Sequence, residues 1–240
     1  MSKKIYLSPS SQPANMYAVG NVSEQEMCRK IAAALKIELD RCGFTTYAGM
    51  SGTMYTRASE SDKYGVDLHL PIHTNASNGN VSGLRILVNK LGGEAEKIAQ
   101  AIMDTLAPIT PGKSDGISAM PSLYEIKATD AICVYLEVGF HDNAEEARWI
   151  IDHPNEIAAA IAKGLCNHYG VKYASVGGSA ALSDGFVDVA KNAWYADDVA
   201  YCVKHGLMVG VSSTEFKPNE PVTRAQMAAV AARLHRALNK

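Results

Sequence analysis

The sequence predicts an α/β protein, with a mostly parallel sheet flanked by helices, followed by a small all-α module. Three observations lead to this fold class. Apolar, strand-like runs alternate with amphipathic helical segments through roughly the first 170 residues. A stretch rich in Gly, Ser and Ala then interrupts the pattern, and the remaining residues carry only helical periodicity. Strands separated by helices imply a mostly parallel sheet that is covered on both faces.

The first helix carries the clearest local signals. Ser23 stands at the N-cap position, Glu26 stands at the capping-box position, and Gly43 is suited to the C-terminal end. Between them, apolar residues recur at helical spacing: Met27, Ile31, Leu35 and Leu39. These signals together predict an amphipathic helix packed on the sheet.

The remaining elements of the first domain follow from the same periodicities. Strands are predicted at 4–7, 44–49, 66–72, 83–89 and 131–138, and further helices at 54–64, 94–106, 144–152 and 155–168. Pro71 lies inside one of these strands and has no N–H to donate. It therefore indicates an edge strand, a bulge or a loosened ladder at that point.

The segment "SVGGSAALSDG", residues 175–185, has the composition of a flexible linker. We therefore predict a first domain over 1–173, a linker over 174–183 and a second, small domain over 184–240.

Composition excludes several classes of partner. The chain is 47% hydrophobic, enough for a packed core, and its formal net charge is −2. Neither half carries a basic stripe, so neither nucleic acid nor a membrane surface is expected as a partner. Five scattered cysteines without a CxxC pair are typical of a reducing compartment. The N-terminus lacks an apolar run of signal-peptide length, so we expect synthesis in the cytoplasm without a signal peptide.

Polar residues at the ends of predicted strands are the candidates for chemistry. His73 ends the strand that begins near Val66 and is followed by a polar loop. His69 lies about 13 Å away on the same strand, too far to share a small site, and is interpreted as a partly buried histidine with a hydrogen-bond partner. Because ligands bind at the carboxyl ends of strands in such sheets, His73 is the functional candidate.

Two glutamates complete the set. Glu137 ends an apolar strand, where a carboxylate is costly unless a proton or a positive charge stabilises it. The alternative interpretation is a salt bridge to an arginine or a helix cap. Glu24 lies in the first turn of the first helix, where a surface residue that complements the helix dipole is the alternative. A convergence of Glu24, His73 and Glu137 predicts a zinc site beside a general base.

These residues resemble a known family, the zinc-dependent N-acetylmuramoyl-L-alanine amidases that cut peptidoglycan. The segments that carry the resemblance are "SEQEMCRKIA", "VDLHLPIHTNAS" and "YLEVGFHDN". The resemblance implies that Glu24 and His73 are zinc ligands and that Glu137 is the catalytic carboxylate. It also suggests Asn75 and His141 as residues that orient the substrate; a loop Asn bonded to its own backbone and a surface His are the alternatives.

The sequence departs from that family at the end of the first strand. Members usually have "D-P-G-H-G" there, with the His as a zinc ligand, whereas this chain reads "LSPSSQ" and has Ser11 in that register. Gln12 or His141 is the candidate third ligand. If neither binds, the metal site is looser or does not form, and the domain binds peptidoglycan without cutting it.

Residues 184–238 resemble a single S-layer homology repeat, through "F-x-D-V", "GLMVG", "F-K-P-N" and "TRAQ". The resemblance implies attachment to a secondary cell-wall polymer, with Arg224 and Trp194 as candidate contacts. The alternatives are an ion pair for Arg224 and a core position for Trp194. A single copy suggests weak binding or an oligomer that gains avidity. A wall-anchored hydrolase without a signal peptide is expected to act after release or lysis, as an endolysin or an autolysin.

Overall fold

The computed structural model describes residues 2–174, 186–189, 193–212 and 214–238. The chain divides into two compact units, Met1–Tyr173 and Ala174–Lys240. Of the predicted linker at 174–183, all but Ala174 lies outside the described residues.

The first unit is built on a six-stranded sheet. Its strands are β1 Lys4–Pro9, β2 Thr45–Ala48, β3 Leu68–Asn75, β4 Arg85–Val88, β5 Gly116–Ala119 and β6 Ile132–Phe140. They lie in the order β2-β1-β3-β6-β4-β5, and every neighbouring pair is parallel except β4 with β6. The prediction of a mostly parallel sheet flanked by helices is confirmed.

Six α-helices belong to this unit in the part of the chain that the structure describes. They are α1 Glu24–Arg41, α2 Met54–Tyr64, α3 Glu94–Leu106, α4 Tyr124–Ala128, α5 Ala144–Asp152 and α6 Pro154–Tyr169. A 3₁₀ turn, Ala107–Ile109, follows α3. The sequence patterns predicted all of these except α4, and all strands except β5. Both missed elements are short, at five and four residues, so their periodicity repeats too few times to stand out.

The two faces of the sheet differ in polarity because side chains alternate along each strand. One face carries aliphatic residues such as Ile5, Leu7 and Leu70, which form the main core with α1, α3 and α6. The other face carries Tyr6 and His69 and is covered by α2 and α4. The functional candidates on β3 and β6 belong to this second, more polar face.

Pro71 lies in a central strand, so the edge interpretation of this residue is wrong. It pairs in register with Ser8 of β1 on one side of β3. On the other side, the ladder between β3 and β6 is irregular between His73 and Asn75. The disturbance in pairing therefore lies just after Pro71, at the end of the strand that carries His73.

The second unit contains α7 Ala196–Lys204 and α8 Arg224–Leu238. Its small core consists of Val189, Ala196 and Val199, with Phe186 and Phe216 packed against them. Among the described helices of the two units, none combines the length and the apolar character that crossing a membrane requires.

Candidate active site

A buried carboxylate–imidazole pair forms the centre of the site. α1 begins at Glu24 because Ser23 caps it, with the Glu26 N–H donating to the Ser23 hydroxyl. Although Glu24 stands in a first turn, it is only 1% exposed. Its Oε1 lies 2.9 Å from Nδ1 of His73. The interpretation of Glu24 as a surface residue is therefore wrong, because its side chain turns inward to β3.

Several further donors converge on the Glu24 carboxylate. Asn15 Nδ2 donates to Oε2 over 2.7 Å, the Thr74 N–H approaches Oε1 at 3.4 Å, and the Ser10 side chain also bonds to the carboxylate. Burial by itself raises the pKa of Glu24. The hydrogen bonds from His73, Asn15 and Ser10 outweigh burial and hold this pKa below its usual value. Glu24 is thus an anion fixed by its neighbours.

Glu137 lies beside this pair on the adjacent strand. It stands opposite His73 in the β3–β6 register. Its Oε2 is buried without a hydrogen-bond partner among the described residues. Burial and the nearby Glu24 charge raise the pKa of Glu137 to about 7, against the lowering effects of His73 and Arg85. A carboxyl group that titrates near neutrality and has a vacant acceptor atom is suited to general acid–base work.

Two other residues support the centre and were not recognised as site residues from the sequence. Tyr135 stacks on His73, with the ring centroids 4.7 Å apart. Cys28 lies one turn after Glu24 on α1, fully buried, and burial together with the charges of Glu24 and Glu137 raises the pKa of its thiol. The alternation rule could have found Tyr135, because it stands two residues before Glu137 and so shares its face. Ser10 and Asn15 lie in irregular segments and carry no periodic signal.

Gln12 is exposed and close to the pair, with its Nε2 3.5 Å from His73 Nδ1. Its Oε1, the atom that could bind a metal, accepts a hydrogen bond from Asn15 over 2.9 Å. Ser11, which stands in the register of the missing histidine, is partly buried.

His141 and Asn75 lie beyond the centre. His141 is buried, so its interpretation as a surface histidine is wrong. Its Nδ1 lies 3.1 Å from the carbonyl oxygen and 3.0 Å from the hydroxyl of Thr74, and its ring stacks on Tyr17. Asn75 Oδ1 accepts from the N–H of Ala76, which corresponds to the alternative of a loop Asn bonded to local backbone.

His69 has the structural role expected for it. It is fully buried, its Nε2 lies 3.0 Å from Oε1 of Glu125, and its ring stacks on Tyr6. The Ser8 hydroxyl donates to the same Glu125 oxygen. Arg57 of α2, also buried, donates to the carbonyl oxygen of Pro9 and so ties the end of β1 to α2.

The donor set fits two positions of a zinc site. A carboxylate oxygen and an imidazole nitrogen are ordinary zinc donors, and those of Glu24 and His73 lie side by side, 2.9 Å apart. The unpartnered Oε2 of Glu137 supplies the adjacent carboxylate. Within the described residues, however, no three His, Cys, Asp or Glu side chains lie together as a metal-binding group. The pair is present, and a third protein ligand of these types is not gathered beside it.

In the second unit, the two candidate wall contacts are at the surface. Trp194 is 52% exposed, so its interpretation as a core residue is wrong. Arg224 is also exposed, at the start of α8, where the Thr223 hydroxyl accepts the N–H of Gln226. Arg233 on the same helix instead donates to the carbonyl oxygen of Leu207.

Solved structures of similar fold place the first unit in a class. The catalytic domain of CwlV, an N-acetylmuramoyl-L-alanine amidase from Bacillus (Paenibacillus) polymyxa var. colistinus, matches with a TM-score of 0.60 at 21% identity, covering 71% of this chain and 99% of that one. An N-acetylmuramoyl-L-alanine amidase from Clostridium difficile 630 matches with a TM-score of 0.64 at 17% identity, covering 70% and 97%. At these identities the likeness establishes the fold. The fold and the site define an α/β domain of the amidase type with a carboxylate–imidazole centre.

The sequence model of the N-acetylmuramoyl-L-alanine amidase family matches residues 10–167, well over half of the chain, and the chain belongs to this family. The S-layer homology domain matches residues 185–228. Both resemblances drawn from the sequence motifs are confirmed.

The second domain also has a relative among characterised proteins. The surface-layer 125 kDa protein of Lysinibacillus sphaericus is 47% identical over 45 residues. The match covers 19% of this chain and only 4% of the length of that protein.

Proposed function

We propose that this protein hydrolyses the amide bond between N-acetylmuramic acid and L-alanine in peptidoglycan, and that its S-layer homology domain holds it at the cell wall through a secondary wall polymer. The observation that carries the proposal is the contact between Glu24, at the start of α1, and His73 of β3, with Glu137 of β6 opposite His73 in the strand register. Membership of the amidase family supplies the substrate class.

Glu137 is the proposed general base and acid. Its buried Oε2 has a vacant acceptor position that can take a proton from the attacking water and return it to the leaving amine. Because the pKa of Glu137 is about 7, both its protonated and its ionised form are populated near neutral pH. The hydrogen-bonded Glu24 and the stacked Tyr135 hold the His73 ring in a fixed orientation beside it.

Zn²⁺ is the proposed cofactor, with Glu24 and His73 as its protein ligands. When bound, it supplies Lewis-acid chemistry at the scissile carbonyl. Gln12 and His141 are the candidate third ligands. The Oε1 of Gln12 accepts a hydrogen bond from Asn15 and would have to turn to serve, whereas Nδ1 of His141 lies against Thr74.

An alternative function follows because, in the part of the chain that the structure describes, no third His, Cys, Asp or Glu completes a metal-binding group with the pair. If the centre does not retain zinc, the domain binds peptidoglycan without cutting it, and the protein is a wall-binding module. The Glu137 Oε2, which is buried and has no hydrogen-bond partner within the described ranges, favours the hydrolase, because such an acceptor atom has no evident use in a binding module.

One experiment separates the two functions. The full chain is incubated with purified Gram-positive walls with and without a chelator, and newly exposed L-alanine amino termini are measured. We expect release that is lost with the chelator and restored by added zinc. Pelleting of the protein with walls, without release under any condition, would instead establish the binding module.

Action at the wall after release or lysis, as an endolysin or an autolysin, remains part of the proposal. Arg224 and Trp194 are its candidate polymer contacts. Assembly of several copies through the single repeat is also a proposal, and a monomer in sedimentation at working concentrations would contradict it.

A further inference from the structure

The side-chain amide of Asn15 lies between Glu24 and Gln12 and donates to both. Its Nδ2 lies 2.7 Å from Oε2 of Glu24 and 2.9 Å from Oε1 of Gln12. A carboxylate accepts only, so the atom of Asn15 that faces Glu24 must be the NH₂ group. The same NH₂ group has a second hydrogen, and this hydrogen is donated to the carbonyl oxygen of Gln12. The orientation of Asn15 is therefore set by Glu24, not by the solvent.

The orientation of Gln12 follows from that of Asn15. Because the Gln12 Oε1 accepts from Asn15, the Nε2 end of the same amide is turned toward the centre, 3.5 Å from Nδ1 of His73. Nδ1 cannot accept a hydrogen bond from it in either state of the site. Without zinc, Nδ1 carries the proton that is donated to Glu24 over 2.9 Å, and with zinc bound the lone pair of Nδ1 would be held by the metal. Among the described residues, the hydrogens of Gln12 Nε2 thus have no acceptor at the centre. Gln12 is exposed, so a bound substrate can reach it.

An NH₂ donor without an acceptor, placed beside a reaction centre, is suited to stabilising the oxyanion of an amide hydrolysis. When the scissile carbonyl is attacked, its oxygen gains negative charge, and amide side chains are among the donors that stabilise such oxyanions. A donor that is already oriented before the reaction needs little reorganisation when the charge develops. Gln12 is such a pre-positioned donor, because Asn15 donates to its Oε1 and so fixes the direction of its NH₂ group.

We propose that Gln12 is a further catalytic residue, whose Nε2–H₂ donates a hydrogen bond to the oxygen of the scissile carbonyl, and that Asn15 is the positioning residue that turns this donor toward the centre. The inference rests on the proposed amide hydrolysis. It assigns to the segment after β1, which lacks the histidine of the family motif, a hydrogen-bond donor in place of a ligand.

The first test replaces the donor while keeping the length of the side chain. Gln12→Met should lower kcat on a soluble muramoyl peptide by about 10²- to 10³-fold, as the loss of one oxyanion donor does. KM and zinc affinity, measured by competition with a chromophoric chelator, should stay unchanged. Gln100→Met, which alters an exposed glutamine on α3, is the matched control and should change none of these. A kcat within about twofold of the parent protein would overturn the proposal.

The second test separates a donor from a ligand. Gln12→Glu replaces N–H₂ by a carboxylate, which can bind zinc but cannot donate when ionised. If Gln12 is a donor, this variant loses activity although zinc binds as tightly or more tightly. Retained activity with tighter zinc binding would make residue 12 a ligand and overturn the proposal.

The positioning role of Asn15 has its own variant. In Asn15→Asp the side chain can only accept, so the Gln12 amide must turn its N–H₂ toward residue 15 and its carbonyl toward His73. We expect a loss of kcat similar to that of Gln12→Met, together with a folded protein by circular dichroism. Unchanged kcat in Asn15→Asp would remove Asn15 from this role.

A binding measurement distinguishes this inference from the proposed function. The ¹⁵N side-chain amide resonance of Gln12 is followed while N-acetylmuramoyl-L-alanyl-D-isoglutamine is added, and a shift that saturates with binding is expected. If the parent protein cuts walls but the Gln12 resonance does not move, the inference fails and the hydrolase stands. If the parent protein neither cuts walls nor binds this ligand, both fail together.

Discussion

Glu137 lies directly opposite His73 across the β3–β6 ladder, and its Oε2 is buried without a hydrogen-bond partner among the described residues. One member of this couple is held by Glu24, whereas the other has a vacant acceptor atom. This asymmetry supports the roles proposed for them, an oriented imidazole and a carboxyl group that moves a proton.

Glu137→Gln should abolish wall cleavage while leaving the fold intact. The amide keeps the shape of the side chain but cannot take a proton from water, and loss of general acid–base catalysis costs about 10²- to 10⁴-fold. Release of L-alanine amino termini from purified walls is the measurement. Glu145→Gln, at an exposed position on α5, is the matched control. Full activity in Glu137→Gln would exclude Glu137 as the general base.

The same variant should change how stability depends on pH in the zinc-free protein. Because the pKa of Glu137 is about 7 in the folded protein, against an ordinary value of 4.5, the folded state binds this proton more tightly than the unfolded state does. Stability is therefore lost as the pH rises from about 4.5 to about 7, by at most about 3 kcal/mol, since part of the side chain reaches solvent.

Urea unfolding at about pH 5 and about pH 8 measures this effect. At the higher pH, Glu137→Gln should be more stable than the parent protein, and at the lower pH the two should converge. Identical pH profiles for the two proteins would show that Glu137 has an ordinary pKa.

Ser11→His should tighten zinc binding. Ser11 stands in the register of the histidine that the family motif supplies, and Glu24 and His73 already provide two donors. A third ligand should lower the zinc dissociation constant by at least about tenfold, the lower end of the effects that even outer-shell partners have on metal affinity. Competition with a chromophoric chelator measures it. An unchanged dissociation constant would indicate that another group already completes the site.

Gly83→Ala should destabilise the loop between β3 and β4. Gly83 has a φ of +117°, and a Cβ there would lie 1.9 Å from the carbonyl oxygen of Lys113. Its N–H also donates to Oε1 of Glu146 over 2.7 Å, so the backbone cannot move freely. We expect a loss of about 2 kcal/mol or more in free energy of unfolding.

Gly116→Ala is the control for this substitution. Gly116 also has a positive φ, +82°, but an added Cβ would meet nothing within 4 Å. It should cost only about 1 kcal/mol, the conformational penalty alone. Equal losses in the two variants would mean that the contact with Lys113 contributes nothing.

Arg224→Ala should weaken retention of the full chain on walls that carry an anionic secondary polymer. Arg224 is exposed at the start of α8, whereas Arg233 of the same helix is bonded to the Leu207 carbonyl oxygen. Co-sedimentation with walls at increasing salt is the measurement. Arg236→Ala, also exposed on α8, is the matched control. Equal retention of both variants would remove Arg224 from the polymer contact.

The sequence by itself determined the elements whose signals are local. Helical spacing and the Ser23 cap predicted α1, and apolar runs predicted the strands that end near His73 and Glu137. The chemistry proposed for these residues followed, because a polar group at the end of a buried strand is costly unless it has a use. The family motifs are local in the same way, which is why both domains could be recognised.

Only the tertiary structure decided how distant residues meet. The strand order places β3 beside β6, and no local pattern encodes which strand neighbours which. The turn of Glu24 into the core, its bonds to Ser10 and Asn15, and the resulting orientation of Gln12 depend on segments that pack together without any periodicity of their own. The physical reason is that hydrogen bonds between irregular segments are set by packing in three dimensions, whereas helix and strand periodicity is set by residues within a few positions of one another.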